Sequence, residues 1–257
     1  MIDTHAHLTD KAYQNPIEII QHAKSVGVNK IITVGCNEQT SFFGKEIAEN
    51  NENVFFTVGV HPSDCEFLTD ELITKFMPII KHEKCLAIGE VGLDYHYGKD
   101  NKQAQKTAFI KQLQLAIELD LPVVIHSREA TKDMLEILSV YAPKLKRGFL
   151  MHCYSESAES AKEYLKLGGY FAFGGAITFK NAKKEDIIKS IPIERVMCET
   201  DCPYMSPVPY RGQTNLPGRV AIVYQAMADI YQMSVQKFTK IIAENAVKFF
   251  GEKKLGE

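Results

Sequence analysis

The chain contains no tryptophan and no Cys-x-x-Cys pair. Its six cysteines, Cys36, Cys65, Cys85, Cys153, Cys198 and Cys202, are scattered, and most fall in or beside apolar runs. That argues against a disulfide scaffold or a thiolate zinc site and fits reduced thiols in a cytoplasmic protein. No apolar stretch nears the roughly 20 residues of a membrane span, so no membrane association is expected. The N-terminus opens on a polar, histidine-containing segment rather than the charged and then apolar pattern of a signal peptide. Charge of one sign is also missing. A formal net charge of −2 excludes the global basic footprint of bulk nucleic-acid binding, though not an enzyme that grips only a strand end. There is no linker, no low-complexity segment and no evident surface for an obligate protein partner. No glycine-rich phosphate loop follows the first apolar run, which argues against an open dinucleotide-binding sheet.

What is present is a repeat of short apolar runs and helical patterns. Candidate strands are 1–3, 30–34, 54–58, 85–88, 122–125, 148–151, 170–173 and 195–198. Several are continuous apolar runs, as suits parallel strands buried on both faces. Helical periodicity covers 16–26, 39–50, 69–81, 102–119, 131–141, 157–167, 184–190, 216–231 and 235–250. Strand and helix alternate eight times, so the expected fold is α/β, a (β/α)8 TIM barrel forming one domain over residues 1–257. The stretch 202–215, with Pro203, Pro207 and Pro209 and with Pro217 nearby, is a long loop beyond the last strand. In a barrel such loops shape the active site.

The polar residues that end these runs carry the chemistry. His5 and His7 are two apart, so on a strand both imidazoles face one side, although alternating histidines also arise from packing. Glu90 follows Leu86-Ala87-Ile88-Gly89. A carboxylate there is costly to bury unless a cation or partner compensates it. Its two oxygens suit it to bridge two ions, and a buried ion pair is the plainer alternative. His126 and His152 end adjacent runs; each alone reads rather as a hydrogen-bonded core histidine, and together they can converge on one ion. Asp201 is the last acidic candidate, and Glu199, two residues earlier, faces the same way as a supporting or proton-handling acid. The set His5, His7, Glu90, His126, His152 and Asp201 holds imidazole and carboxylate without thiolate, which suits Zn, Mn, Fe or Ni. Mg prefers oxygen-rich sites but can act where a substrate phosphate supplies oxygens. Cys153 and Cys202 lie beside these residues and read as packing, because neighbours along a strand point to opposite faces. His61 and His96 fall in rim segments as candidate substrate contacts, with backbone capping as the alternative for His61.

In this order the stretches resemble the TatD family of metal-dependent hydrolases, over essentially the whole chain. They are Asp3–Leu8 (DTHAHL), Gly59–Pro62 (GVHP), Gly89–Tyr95 (GEVGLDY), Pro122–Arg128 (PVVIHSR), Met151–Ser155 (MHCYS), Glu199–Tyr204 (ETDCPY) and Pro207–Gly212 (PVPYRG). One departure is Tyr210, where family members commonly carry histidine before the arginine. The resemblance implies a barrel of the amidohydrolase type and a metal-dependent deoxyribonuclease that trims DNA from a 3′ end. Its partner would be single-stranded DNA ends. It also implies a first metal site of His5, His7, Glu90 and Asp201 and a second of Glu90, His126 and His152.

On this reading Glu90 bridges two divalent ions, Asp201 accepts the proton of the attacking water, and Glu199 is the alternative base. Arg128 and Arg211 grip phosphate oxygens, with an Arg128–Glu129 pair as the structural alternative. Tyr95, Tyr154, Tyr204 and Tyr210 lie in rim loops where the bases of a single strand can stack. Asp94 reads as a cap of the following turn. Rival functions are hydrolysis of an aminoacyl ester on tRNA, hydrolysis of a small-molecule amide or lactone on the same barrel, and a non-enzymatic metal-bound binding module.

Overall fold

The computed structural model describes residues 1–97 and 99–255. Eight strands run in order: β1 (Ile2–Ala6), β2 (Lys30–Thr33), β3 (Val54–Val58), β4 (Cys85–Asp94), β5 (Val123–Arg128), β6 (Phe149–Met151), β7 (Tyr170–Phe173) and β8 (Val196–Cys198). All adjacent pairs are parallel, and strand order follows chain order. Between them run α1 (Pro16–Ser25), α2 (Glu38–Glu49), α3 (Asp70–Ile80), α4 (Lys102–Leu119), α5 (Thr131–Tyr141), α6 (Ala158–Lys166) and α7 (Glu185–Lys189); α8 (Val220–Ile230) and α9 (Val235–Phe250) follow β8. The helices cover the outer face of the sheet, which is why the strands are apolar on both sides and almost wholly buried. Helix α1 shows the local logic. Asn15 accepts the backbone N–H of Ile17, Pro16 supplies a preset first turn, and Ile20 and Ala23 turn into the core.

The result is a nearly closed (β/α)8 barrel. Its last seam is made beyond β8: Asp201 N donates to His5 O at 3.0 Å and His7 N to Cys202 O at 2.8 Å. Ala6 and Cys202 form a parallel bridge between them. Among the described residues, no helix is long and apolar enough to cross a membrane.

Strand order agrees with the sequence expectation, but three strands run further. β1 continues to Ala6, β4 to Asp94 and β5 to Arg128. The apolar runs stop where the polar site residues begin, whereas the ladder continues through them, pairing Gly92 with His126 and Asp94 with Arg128. The helix expected from residue 216 starts as α8 at Val220, after a 3-10 turn at Pro217–Arg219. Gly218 in this first turn is a poor α-helix former.

Candidate metal centre

The C-terminal ends of the strands open into a cavity of about 610 Å³. Glu90 stands at its floor, and its two oxygens face different partners. Oε2 lies 3.3 Å from His5 Nε2 and 3.8 Å from His7 Nε2. Oε1 lies 2.8 Å from His152 Nε2 and 3.0 Å from His126 Nδ1. Asp201 Oδ1 completes the first group, 3.2 Å from His7 Nε2 and 3.9 Å from His5 Nε2. The structure thus brings together all six residues read from the sequence as ligand candidates, from β1, β4, β5 and the segments after β1, β6 and β8.

Local geometry explains the convergence. Gly92 has φ +143°, and a Cβ there would sit 2.0 Å from the His126 carbonyl oxygen. Only glycine lets β4 approach β5 this closely, and that approach sets His126 beside Glu90. Asp201 has φ 53°, so the chain turns sharply off β8 and carries its carboxylate over the cavity.

A second layer holds these side chains. Asp94 Oδ2 lies 3.0 Å from His126 Nε2, while its Oδ1 accepts the backbone N–H of His96 at 2.9 Å and of Tyr97 at 3.0 Å. The cap expected from sequence is there, and the contact with His126 is a function the sequence reading missed. Glu199 is fully buried. Its Oε1 accepts Cys153 N at 2.7 Å and lies 3.4 Å from His152 Nδ1. It stands behind His152 and is not among the residues lining the cavity, which places it against the histidine and away from the space a substrate would fill. Cys36, also missed, puts Sγ 3.6 Å from Glu90 Oε2 and 3.7 Å from His7 Nδ1. Cys153 lines the cavity as well. Its backbone is left-handed, φ 44°, so strand alternation no longer governs where it points.

The proposed substrate contacts divide. His61 Nε2 is 3.7 Å from Glu90 Oε1, within the cluster, and Arg128 lines the cavity with its guanidinium over Tyr97 at 4.8 Å. Arg211 does not reach the cavity. It is exposed, and its guanidinium lies over Phe179 at 4.1 Å, a flat ring that satisfies a planar cation. Tyr204 and Tyr154 line the cavity. Tyr95 is instead buried with its hydroxyl on Asp133 at 2.6 Å, and Tyr210 lies under Arg219. His96 faces outward to Glu129 at 2.6 Å.

The family model described as TatD related DNase matches residues 2–251. The chain belongs to the TatD family. It is 40% identical over 252 residues to YabD, a metal-dependent hydrolase of Bacillus subtilis (strain 168), covering 97% of this chain and 98% of that protein. Among solved structures, the TatD homologue YjjV of Escherichia coli K12 superposes with a TM-score of 0.91 at 28% identity, covering 97% of both chains. An amidohydrolase of Saccharomyces cerevisiae shares the fold, with a TM-score of 0.81 at 18% identity over 97% of this chain and 99% of that one. The protein is a metal-dependent hydrolase.

In this TatD-family barrel the donor chemistry fits a divalent cation. Both ring nitrogens of fully buried His5 lack a hydrogen-bond partner, as do His152 Nδ1 and Glu199 Oε2. Leaving such groups unmatched in the interior costs about 1–3 kcal/mol each, and a cation taking the one lone pair of the neutral His5 ring would remove that ring's share of the cost. Three sets of donors each fall within 4.8 Å of one another: His5, His152 and Asp201; His5, His7 and Glu90; His61, Glu90 and His126. Burial pushes the Glu90 carboxyl up, but the charges of His152 and His5 and the bonds from His126 and His152 outweigh it and hold it well below the usual range. Burial likewise raises Asp94, yet the bond from His126 and the backbone N–H groups bring it down to about 2. Both carboxylates are therefore anionic at neutral pH, as ligands and their supports must be. Carboxylates behind His126 and His152 match the support that metal-bound histidines usually have.

Proposed function

We propose that this hydrolase cleaves phosphodiester bonds in DNA, as a 3′–5′ exonuclease acting on single-stranded ends. The observation that carries the reading is the division of Glu90, whose oxygens face two separate imidazole pairs across one open cavity. A carboxylate so divided would be able to serve two divalent ions at once. His5, His7, Glu90 and Asp201 would hold one, and Glu90, His126 and His152 the other. Divalent ions held there would supply Lewis acidity, lowering the pKa of water and drawing charge from the phosphate oxygens. The mixed imidazole and carboxylate set suits Zn, Mn, Fe or Ni.

The side chains do the rest. Asp201 is the anionic carboxylate at the open side of the cavity and takes the proton of the attacking water. Asp94 and Glu199 keep His126 and His152 in register. Burial brings His61 down to about 4, so its ring is neutral at pH 7. Its Nδ1 accepts the backbone N–H of Ser63 at 3.1 Å, which leaves the proton on Nε2, facing the cavity as a donor to a phosphate oxygen. Arg128 supplies a guanidinium for a further phosphate oxygen, and Tyr204, 53% exposed, offers a face for a base. We infer as well that the chain works as one domain in the cytoplasm, without an obligate protein partner. The six free cysteines support a reducing compartment.

The test is a time course on 3′- and 5′-labelled single-stranded DNA. It uses chelator-stripped protein with Mg, Mn or Zn restored and Glu90→Ala alongside. Stepwise shortening from the 3′ end that needs both metal and Glu90 is the expected result. A folded, metal-loaded protein that leaves DNA intact would redirect the assignment to an aminoacyl ester on tRNA or a small-molecule amide or lactone.

A further inference from the structure

Two basic side chains, Arg128 and Lys184, line the cavity among the described residues. Lys184 is the one no reaction step above uses. It sits at the N-terminal boundary of α7 and makes no capping bond. Lysine is a poor residue there: it offers no acceptor to the free N–H groups, and its charge opposes the helix dipole. The next residue, Glu185, is paired with Lys189 instead. Half-buried, Lys184 turns its Nζ inward to donate to Ser155 O at 2.6 Å, and no carboxylate among the described residues forms an ion pair with it. Its bond is to a neutral carbonyl, so the product is an unneutralised cation at the cavity wall.

Its position gives the cavity a polarity. Arg128 ends β5 and Lys184 follows β7, so the two cations flank the segment after β6. The wall formed by β8 and β1 carries Asp201, Asp10 and Tyr204, the last two joined by a 2.7 Å hydrogen bond. Lys184 touches none of the donor cluster and stands beyond it, three residues past His152 through its tether at Ser155.

We propose that Lys184 binds the phosphate adjacent to the scissile one, on the part of the strand that is retained. The strand then leaves the cavity over the β5–β7 wall, and the terminal nucleoside lies toward Tyr204. Lys184 is on this account a determinant of oligonucleotide over single-phosphodiester substrates. The inference rests on the phosphodiester reading above.

The experiment compares a trinucleotide, which has a phosphate beside the scissile one, with a dinucleotide, which has none. Kinetics are measured for wild type, Lys184→Ala and Lys184→Arg across a salt series. Lys184→Ala should lower kcat/KM for the trinucleotide roughly tenfold, mostly through KM, as expected for one charge-assisted hydrogen bond. The fall on the dinucleotide should be several-fold smaller. The slope of log KM against log salt should flatten by about 0.7, the loss of one single-strand phosphate contact. Lys184→Arg should recover most of the effect, and Lys184→Gln replaces the alanine variant if that one does not fold. Equal losses on both substrates, or an unchanged salt slope, would overturn the role of Lys184 while leaving the phosphodiester reading intact. A wild type that cleaves neither substrate would overturn both.

Discussion

Asp3 accepts two hydrogen bonds from Thr200, the backbone N–H on Oδ1 at 2.9 Å and the hydroxyl on Oδ2 at 2.6 Å. Both residues are fully buried. The pair clamps β1 to the segment after β8, one residue from Asp201 and two from His5, and so closes the barrel at the metal centre.

Removing that clamp should loosen the seam. Asp3→Ala leaves the Thr200 N–H and hydroxyl without partners, and at 1–3 kcal/mol for each orphaned group the loss should be about 3 kcal/mol. Asp3→Asn keeps an acceptor and should lose less than half of that. Urea denaturation of the three proteins measures the order. An alanine variant as stable as wild type would show that the seam is held elsewhere.

Asp94 should matter to metal affinity without contacting metal. Asp94→Asn retains the acceptor that caps His96 and Tyr97 but removes the charge beside His126 Nε2. Loss of such a support typically costs ten- to a hundredfold. A chelator-competition titration should therefore show about a tenfold weaker site, with the fold unchanged by circular dichroism. Equal affinities would confine Asp94 to its turn.

Stability should depend on pH through Asp133 on α5. Lys106 Nζ at 2.7 Å and the Tyr95 hydroxyl at 2.6 Å hold its carboxyl below the usual range. The folded value lies below the unfolded one, about 3.9, so the unfolded state binds the proton more readily. The contribution is present above pH 4 and disappears as pH falls through the folded value. Wild type should exceed Asp133→Asn in stability at pH 7, and the gap should shrink as pH falls below the unfolded value. A gap that persists at the acid end would assign the effect to packing.

Much of the site could be read in the sequence because the candidate ligands stand at or just beyond the ends of apolar runs. His5, Glu90, His126 and Asp201 are conspicuous against Val, Ile and Leu. What escaped was whatever depends on a neighbouring strand. Asp94 announces its cap through residues two and three ahead, but its second oxygen meets His126 across the β4–β5 ladder, which no spacing within one segment records. Glu199 shares its alternation with Asp201, yet the chain turns at Asp201, so the two carboxylates end on opposite sides of His152. The place of Arg211 in the loop suggests a phosphate contact, and the Phe179 ring that holds it elsewhere comes from a different loop.

The seam at Asp3 and Thr200 has a topological consequence. His7 and Asp201 meet at 3.2 Å although 194 residues separate them in the chain. Their proximity is made by barrel closure alone, so fraying of this one seam would part the imidazoles of His5 and His7 from the carboxylate while every other strand pair stayed intact. The donor set is in this sense a reporter of whether the barrel is shut.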